Sequence, residues 1–314
     1  MNWKKSAQTA GLFIVVTAGA QASFELGLVL DAGTRSVHRF DMESGAYFGS
    51  FGAGWLNDPQ AIMLDQANNR VWVVDNDAAS TRVKILGFNY NSGGRDGSVP
   101  INLGYSEPIQ AVRRANGEFI ISGNSITDRF SSTGSSLGSM YIGGGNQGGL
   151  GIGADGFLYT TVHTTQTVVR TSQTSGAVLA TSAVSVFGTT GEGQMISNNG
   201  RMYFATGLST VFSIQEGFAN GGGGFLQLNA TNFSATKALG VGHNKIMYIA
   251  GRNAANTAGL IERWDPVISS FGGTFGGSVL QNPVSMAVVV APEPGTLLAL
   301  GGLTLAVVRR RRKA

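Results

Sequence analysis

The sequence predicts an all-β chain built from repeated four-stranded antiparallel sheets, and three observations lead there. Turn-then-apolar hairpins recur at a near-constant interval: positions 69, 117, 156, 200 and 244 stand 48, 39, 44 and 44 residues apart. The clearest lies in residues 194–207, where Asn199-Gly200 separates two apolar runs. Asn-Gly accepts positive φ at both centres of a two-residue hairpin turn. Composition agrees, since the 314 residues include 47 glycines and only 13% charged residues, which suits short strands and tight turns better than amphipathic helices. Finally, the first unit lacks a strand and the last is followed by a spare one, so the array closes on itself.

Residues 24–30, 36–40 and 46–51 read as the three strands of the first unit. Residues 60–64, 70–74, 82–86 and 99–103 make a complete four-stranded meander. Further units begin near Ile109, Leu150, Gln194 and Lys237. The last runs through 245–250 and 260–264 to a Gly-rich strand around 271–275. Turns from third to fourth strand share a second pattern: Arg39-Phe40 before Ser44-Gly45, Arg129-Phe130 before Thr133-Gly134, and Arg170-Thr171 before Ser175-Gly176. The spare strand, 283–290, supplies the missing strand of the first unit. Such an array is a six-bladed β-propeller, with seven blades as the alternative if a Gly-rich loop hides strands. Closure removes the aggregation hazard of an open array.

Three stretches carry a family likeness: Val37-His38-Arg39-Phe40-Asp41, Tyr47-Phe48-Gly49-Ser50-Phe51-Gly52 and Asp58-Pro59-Gln60-Ala61-Ile62. The chain resembles bacterial six-bladed propellers of the NHL and streptogramin-lyase-like kind. The likeness runs over roughly residues 24–290 and is clear in the first two blades. It implies a fold and no particular activity.

The two ends read as targeting segments. Residues 1–22 combine Lys4-Lys5, a short apolar run over 11–19 and the small residues Ala20 and Ala22. This is the pattern of a secretory signal cut by signal peptidase, and the run is too short to span a bilayer. The propeller then occupies 23–290, and residues 291–314 form a separate C-terminal segment. That segment carries Pro292-Glu293-Pro294, an apolar run over 295–308, and Arg309, Arg310, Arg311, Arg312 and Lys313. As a helix its fourteen apolar residues reach about 21 Å, short of the roughly 30 Å hydrocarbon core. Snorkelling arginines and local thinning close that gap, and the terminal charges hold the tail on the cytoplasmic side. The segment resembles the PEP-CTERM sorting domain. The resemblance implies recognition by exosortase, cleavage near Pro292-Glu293-Pro294, a membrane stop at Arg309–Arg312, and transfer to the cell surface or exopolysaccharide matrix. The plainer alternative is a C-terminal membrane anchor.

The formal charge of +4 comes from these ends. Setting aside their seven basic residues leaves fifteen against eighteen acidic ones, a balance of −3. A body without clustered Lys or Arg is a poor nucleic-acid binder. The absence of cysteine excludes disulfides, thiolate metal sites and cysteine nucleophiles.

No catalytic motif stands out. Residues 143–148 fit G-x-G-x-x-G yet lead into a hairpin rather than a helix, so no helix N-terminus awaits a pyrophosphate. Asp75-Asn76-Asp77 lacks the glycine and distal glutamate of a calcium loop. His38, His163 and His243 fall in different units, and no metal site is predicted. In a propeller, inner strands begin and second strands end on one face around the axis. That places Gln60, Gln110 and Gln194 with Asp75, Asn124, His163 and Arg252 as a candidate axial ligand ring. Uncharged amides there suit carbohydrate or peptide contact. The leading expectation is an exported, matrix-sorted propeller with a structural or binding role and no cofactor. Its partners would be exopolysaccharide or a matrix protein. The alternative is a secreted lyase or lactone hydrolase working through an axial divalent metal.

Overall fold

A computed structural model describes residues 25–76, 82–103, 108–123, 126–142, 147–184, 193–242 and 245–290. The signal segment, the Pro-Glu-Pro segment with its apolar run and Arg cluster, Asp77, Asn124 and His243 lie outside the described residues.

The chain opens with β1 (Glu25–Asp31), β2 (Ser36–Asp41) and β3 (Tyr47–Phe51). Blade 2 is β4 (Pro59–Asp65), β5 (Arg70–Asn76), β6 (Arg82–Asn89) and β7 (Arg95–Asn102). Blade 3 is β8 (Pro108–Arg113), β9 (Phe119–Gly123), β10 (Ile126–Phe130) and β11 (Ser136–Ile142). Blade 4 is β12 (Gln147–Ile152), β13 (Leu158–Val162), β14 (Thr167–Thr171) and β15 (Val178–Ala183). Blade 5 is β16 (Met195–Asn198), β17 (Arg201–Ala205), β18 (Thr210–Gln215) and β19 (Leu226–Asn229). Blade 6 is β20 (Phe233–Val241), β21 (Met247–Asn253), β22 (Gly259–Asp265) and β23 (Ser270–Phe275). The last strand, β24 (Pro283–Val290), pairs with β1, so blade 1 has the order β24-β1-β2-β3. The fold is a six-bladed propeller closed by its C-terminal strand.

Closure brings the first and last residues of the ring together, because Glu25 stands opposite Val290 in an antiparallel register that runs to Asp31 opposite Pro283. Both chain exits therefore open on one face, at the lower ends of the inner strands. We call it the exit face.

Period-two patterning builds the core. In β1, Leu28 and Leu30 pack toward blade 2 while Val29 packs toward blade 6. In β5, Val71 and Val73 face blade 1 while Trp72 and Val74 face blade 3. Alternate residues of each middle strand thus feed the two neighbouring interfaces, and each interface between adjacent blades has its own apolar cluster. The interface between blades 3 and 4 is the more polar one. There the Thr127 hydroxyl donates to Gln147 and the Ser122 hydroxyl to the Gly148 carbonyl at 3.3 Å.

The hairpin centred on Asn199-Gly200 has the predicted geometry, with φ of 51° and 71°. The second turn pattern also has a physical basis. Asp41, Asn89 and Ser172 each accept amides two and three residues on, and a glycine follows at Gly45, Gly93 and Gly176. Gly176 shows why: its φ is +70°, and a Cβ there would sit 2.1 Å from the Met140 carbonyl oxygen of the preceding blade.

Two unit boundaries differ from the sequence reading. Blade 4 begins at Gln147 rather than near Leu150, because part of the glycine run is itself an inner strand. A Cβ at Gly149 would meet Met195 at 2.6 Å, so glycine there serves close approach of blades 4 and 5. Blade 6 begins at Phe233 rather than near Lys237, with two register shifts within β20 that obscure its alternation.

Candidate functional site at the propeller axis

Six inner strands surround the axis: β24, β4, β8, β12, β16 and β20. Each brings an aliphatic residue near its lower end to the centre. Leu64, Val112, Ile152, Ile196, Val241 and Val288 are half-buried and together line an axial cavity of about 310 Å³. Each of the six also leans on one of the inter-blade clusters. The ring is thus the inner margin of the cores rather than a separate surface. The volume falls at the lower end of small-molecule pockets.

The polar groups of the lining are committed to the protein itself. Gln194, one turn above the ring, accepts the Met286 amide at 2.8 Å and the Leu239 amide at 3.1 Å, and donates to the Met286 carbonyl at 2.7 Å. Its carboxamide therefore ties blade 5 to the inner strands of blades 6 and 1. Arg113 pairs with Asp65 of the neighbouring blade at 3.2 Å, and that carboxylate also accepts both of its bonds from Asn68 at 3.0 Å. Ser197 donates to Glu216. What remains for a ligand among the described residues is aliphatic wall and the unpartnered Nε of Arg113.

Gln194 is the member of the predicted ring that lines this cavity. Gln60, at the start of β4, donates to Asp58 Oδ1 at 2.7 Å. Gln110 is buried on β8. Asp75 accepts the Asn57 and Asp58 amides, both at 2.9 Å, and so clamps the loop entering β4. Asp31 does the same for the loop entering β24, accepting the Gln281 and Asn282 amides at 2.7 and 2.9 Å. Burial pushes the Asp75 carboxyl above its ordinary value despite those two amides. His163 stands half-buried in the turn after β13, and Arg252 half-buried near the end of β21. Among the described residues no three His, Asp or Glu come together as a group able to hold a metal. The described lining offers Gln194, Arg113 and Ser197 as its polar side chains and no carboxylate or imidazole.

Sequence reasoning missed the aliphatic ring. A signal for it exists: the six triplets 62–64, 110–112, 150–152, 194–196, 239–241 and 286–288 all end in Leu, Ile or Val. Aligning the units on their inner strands exposes it.

Comparison with known proteins concerns the tail and the fold. Residues 290–313 match the PEP-CTERM protein-sorting motif. The tail is a PEP-CTERM sorting motif. It marks the protein as exported and processed by exosortase, and it begins at the last residue of β24. No curated protein sequence matches the chain. Among solved structures, a chain of the nidogen/laminin complex superposes with a TM-score of 0.65 at 12% identity, covering 84% of this chain and 98% of that one. A protein of unknown function from Bacteroides caccae gives 0.62 at 12% identity, with 86% and 100% covered. Streptogramin B lyase gives 0.58 at 13%, with 82% and 81% covered. At such identities the likeness is one of fold.

Proposed function

We propose that this protein with its PEP-CTERM motif is held transiently in the inner membrane by the apolar run of its C-terminal segment. It is then released by exosortase to the cell surface or extracellular matrix, where the propeller has a structural or ligand-binding role among exopolysaccharide or matrix proteins. The observation that carries this reading is the complete sorting segment at the end of β24. The axial site supports binding over catalysis, because among the described residues its lining is mostly aliphatic, Gln194 and Arg113 bridge blades, and the Ser197 hydroxyl is bonded to Glu216. A divalent metal belongs to the lyase or lactone-hydrolase alternative alone, and no observation here favours that alternative.

Intact mass and fractionation of the protein from its native host, with and without exosortase, test the proposal. Loss of both ends and recovery in the surface or matrix fraction, abolished without exosortase, is the expected result. A retained Arg tail in the membrane fraction of both strains would overturn the sorting step.

A further inference from the structure

Large exposed apolar side chains are not spread evenly over the propeller. Among the described residues, nine of the eleven lie in the turns from third to fourth strand or in the first two residues of the outer strands. Strand direction puts all of these positions on the rim of the exit face. They include Tyr47 and Phe48 in blade 1, Leu226 in blade 5, and Val267, Ile268 and Phe271 in blade 6. The other three come from blades 3 and 4. Charge there comes from Arg95 and Asp96 in blade 2, the exposed Glu43 in blade 1 and the half-buried Glu216 in blade 5.

The most prominent apolar tip is the turn after β22. Val267 is 79% exposed and Ile268 69%. The turn is built to present them: Asp265 accepts the Val267 amide at 2.8 Å, and Ser269 takes a φ of +51° to turn the chain back. Blade 6 packs directly on blade 1, where Phe40 meets Phe275 at 5.7 Å between ring centres, and blade 1 carries both chain exits. Of the three acids in the turns of this sector, Asp41 and Asp265 are spent on capping and Glu43 is exposed. Asp265 caps as described, and Asp41 accepts the Glu43 amide at 3.0 Å and the Ser44 hydroxyl at 2.6 Å.

The chain leaves this face at Val290, and the apolar run of the sorting segment begins at Gly295. Five residue steps span at most about 18 Å, of which the headgroup layer takes roughly 5–8 Å. The tether starts on the innermost strand of the ring, so it draws the centre of the face toward the bilayer rather than tipping one edge. Side chains that protrude from that rim therefore reach the headgroup layer, where exposed aliphatic and aromatic groups are stabilised by burial.

We infer that, before cleavage, the propeller seats its exit face on the membrane surface, with Val267 and Ile268 dipping into the interface. This rests on the sorting reading, which places the apolar tail in the bilayer. Because the chain has no cysteine, Ile268→Cys and Leu208→Cys each give one labelling site. Leu208 is exposed in the turn between β17 and β18, on the opposite face. The full chain with a nitrobenzoxadiazole label at either position is reconstituted in vesicles of phosphatidylethanolamine and phosphatidylglycerol. Flotation, and quenching by spin-labelled lipid, are then read. The expected result is co-flotation with several-fold stronger quenching and blue-shifted emission at 268 relative to 208. Co-flotation with equal quenching at the two sites overturns the seating and leaves the anchor intact. Failure to float removes the anchor and the seating with it. Rapid disulfide pairing of unlabelled Ile268→Cys chains, with the label unquenched, assigns the rim to a second copy instead.

Discussion

Single side chains are held where the sequence needs them by burial that leaves few alternatives. Glu262 is an example: it is 1% exposed on β22, and its Oε1 accepts from Asn232 while Oε2 has no hydrogen-bond partner. Burial raises its carboxyl above the ordinary 4.5, more than the Asn232 bond lowers it. The folded state therefore binds the proton more tightly than the unfolded chain. Stability is highest below the ordinary value and falls as pH rises from there through the folded one. Glu262→Gln keeps an acceptor for Asn232 and removes the buried charge, so it raises Tm at pH 7 by a few degrees. The gain disappears below about pH 4.5, and thermal melts of both proteins across that range check it. No sequence pattern announces such a residue. An acid between Ile261 and Arg263 in a strand reads as solvent-facing until the outer strand and Asn232 are seen to cover it.

Hydrogen-bond ladders join the strands within each blade, and side chains tie one blade to the next, with Gln194 the clearest case. Its side chain bridges three inner strands through Met286 and Leu239. Gln194→Ala leaves those backbone groups without partners near the axis and costs about 2–4 kcal/mol. Gln194→Glu retains the two acceptor bonds but sets an oxygen against the Met286 carbonyl, so it too destabilises at neutral pH. Chemical denaturation of both variants decides the matter, since a residue kept only to bind a ligand would leave stability unchanged. The sequence marked Gln194 because it opens an inner strand. What it could not mark is that its amide is already satisfied, because its partners are backbone groups 45 and 92 residues away. The hairpins, by contrast, were legible, since Asn199-Gly200 needs only its own φ angles.

At the scale of the whole molecule, the closing strand and the sorting motif meet at one residue. β24 ends at Val290, where the motif begins. Cleavage among Pro292, Glu293 and Pro294 leaves the ring locked, whereas any cut that removes β24 strips the full register with β1 and the buried Met286 and Val289. That loss exceeds the few kcal/mol by which domains are stable. A chain ending at Val290 is expected to stay monomeric and to melt cooperatively. One ending at Asn282 is expected to aggregate through the bare edge of β1; size-exclusion chromatography and circular dichroism separate the two outcomes.

Turn chemistry, strand alternation and the spare C-terminal strand are local or countable properties. From them the sequence by itself determined the all-β class, the closure of blade 1 and the sorting tail, and favoured six blades over seven; the six sheets of the structure decided the count. The tertiary structure alone decided which residues meet at the axis and what they are free to do. The ring of Leu64, Val112, Ile152, Ile196, Val241 and Val288 draws one side chain from each of six sheets. Asp75 is committed by the entry to its own blade, Arg113 by the packing of blade 3 on blade 2, and Gln194 by a partner that is near only after closure. The same holds for the apolar rim, whose members are scattered from Tyr47 to Phe271 in the chain and come to one face because every outer strand starts there.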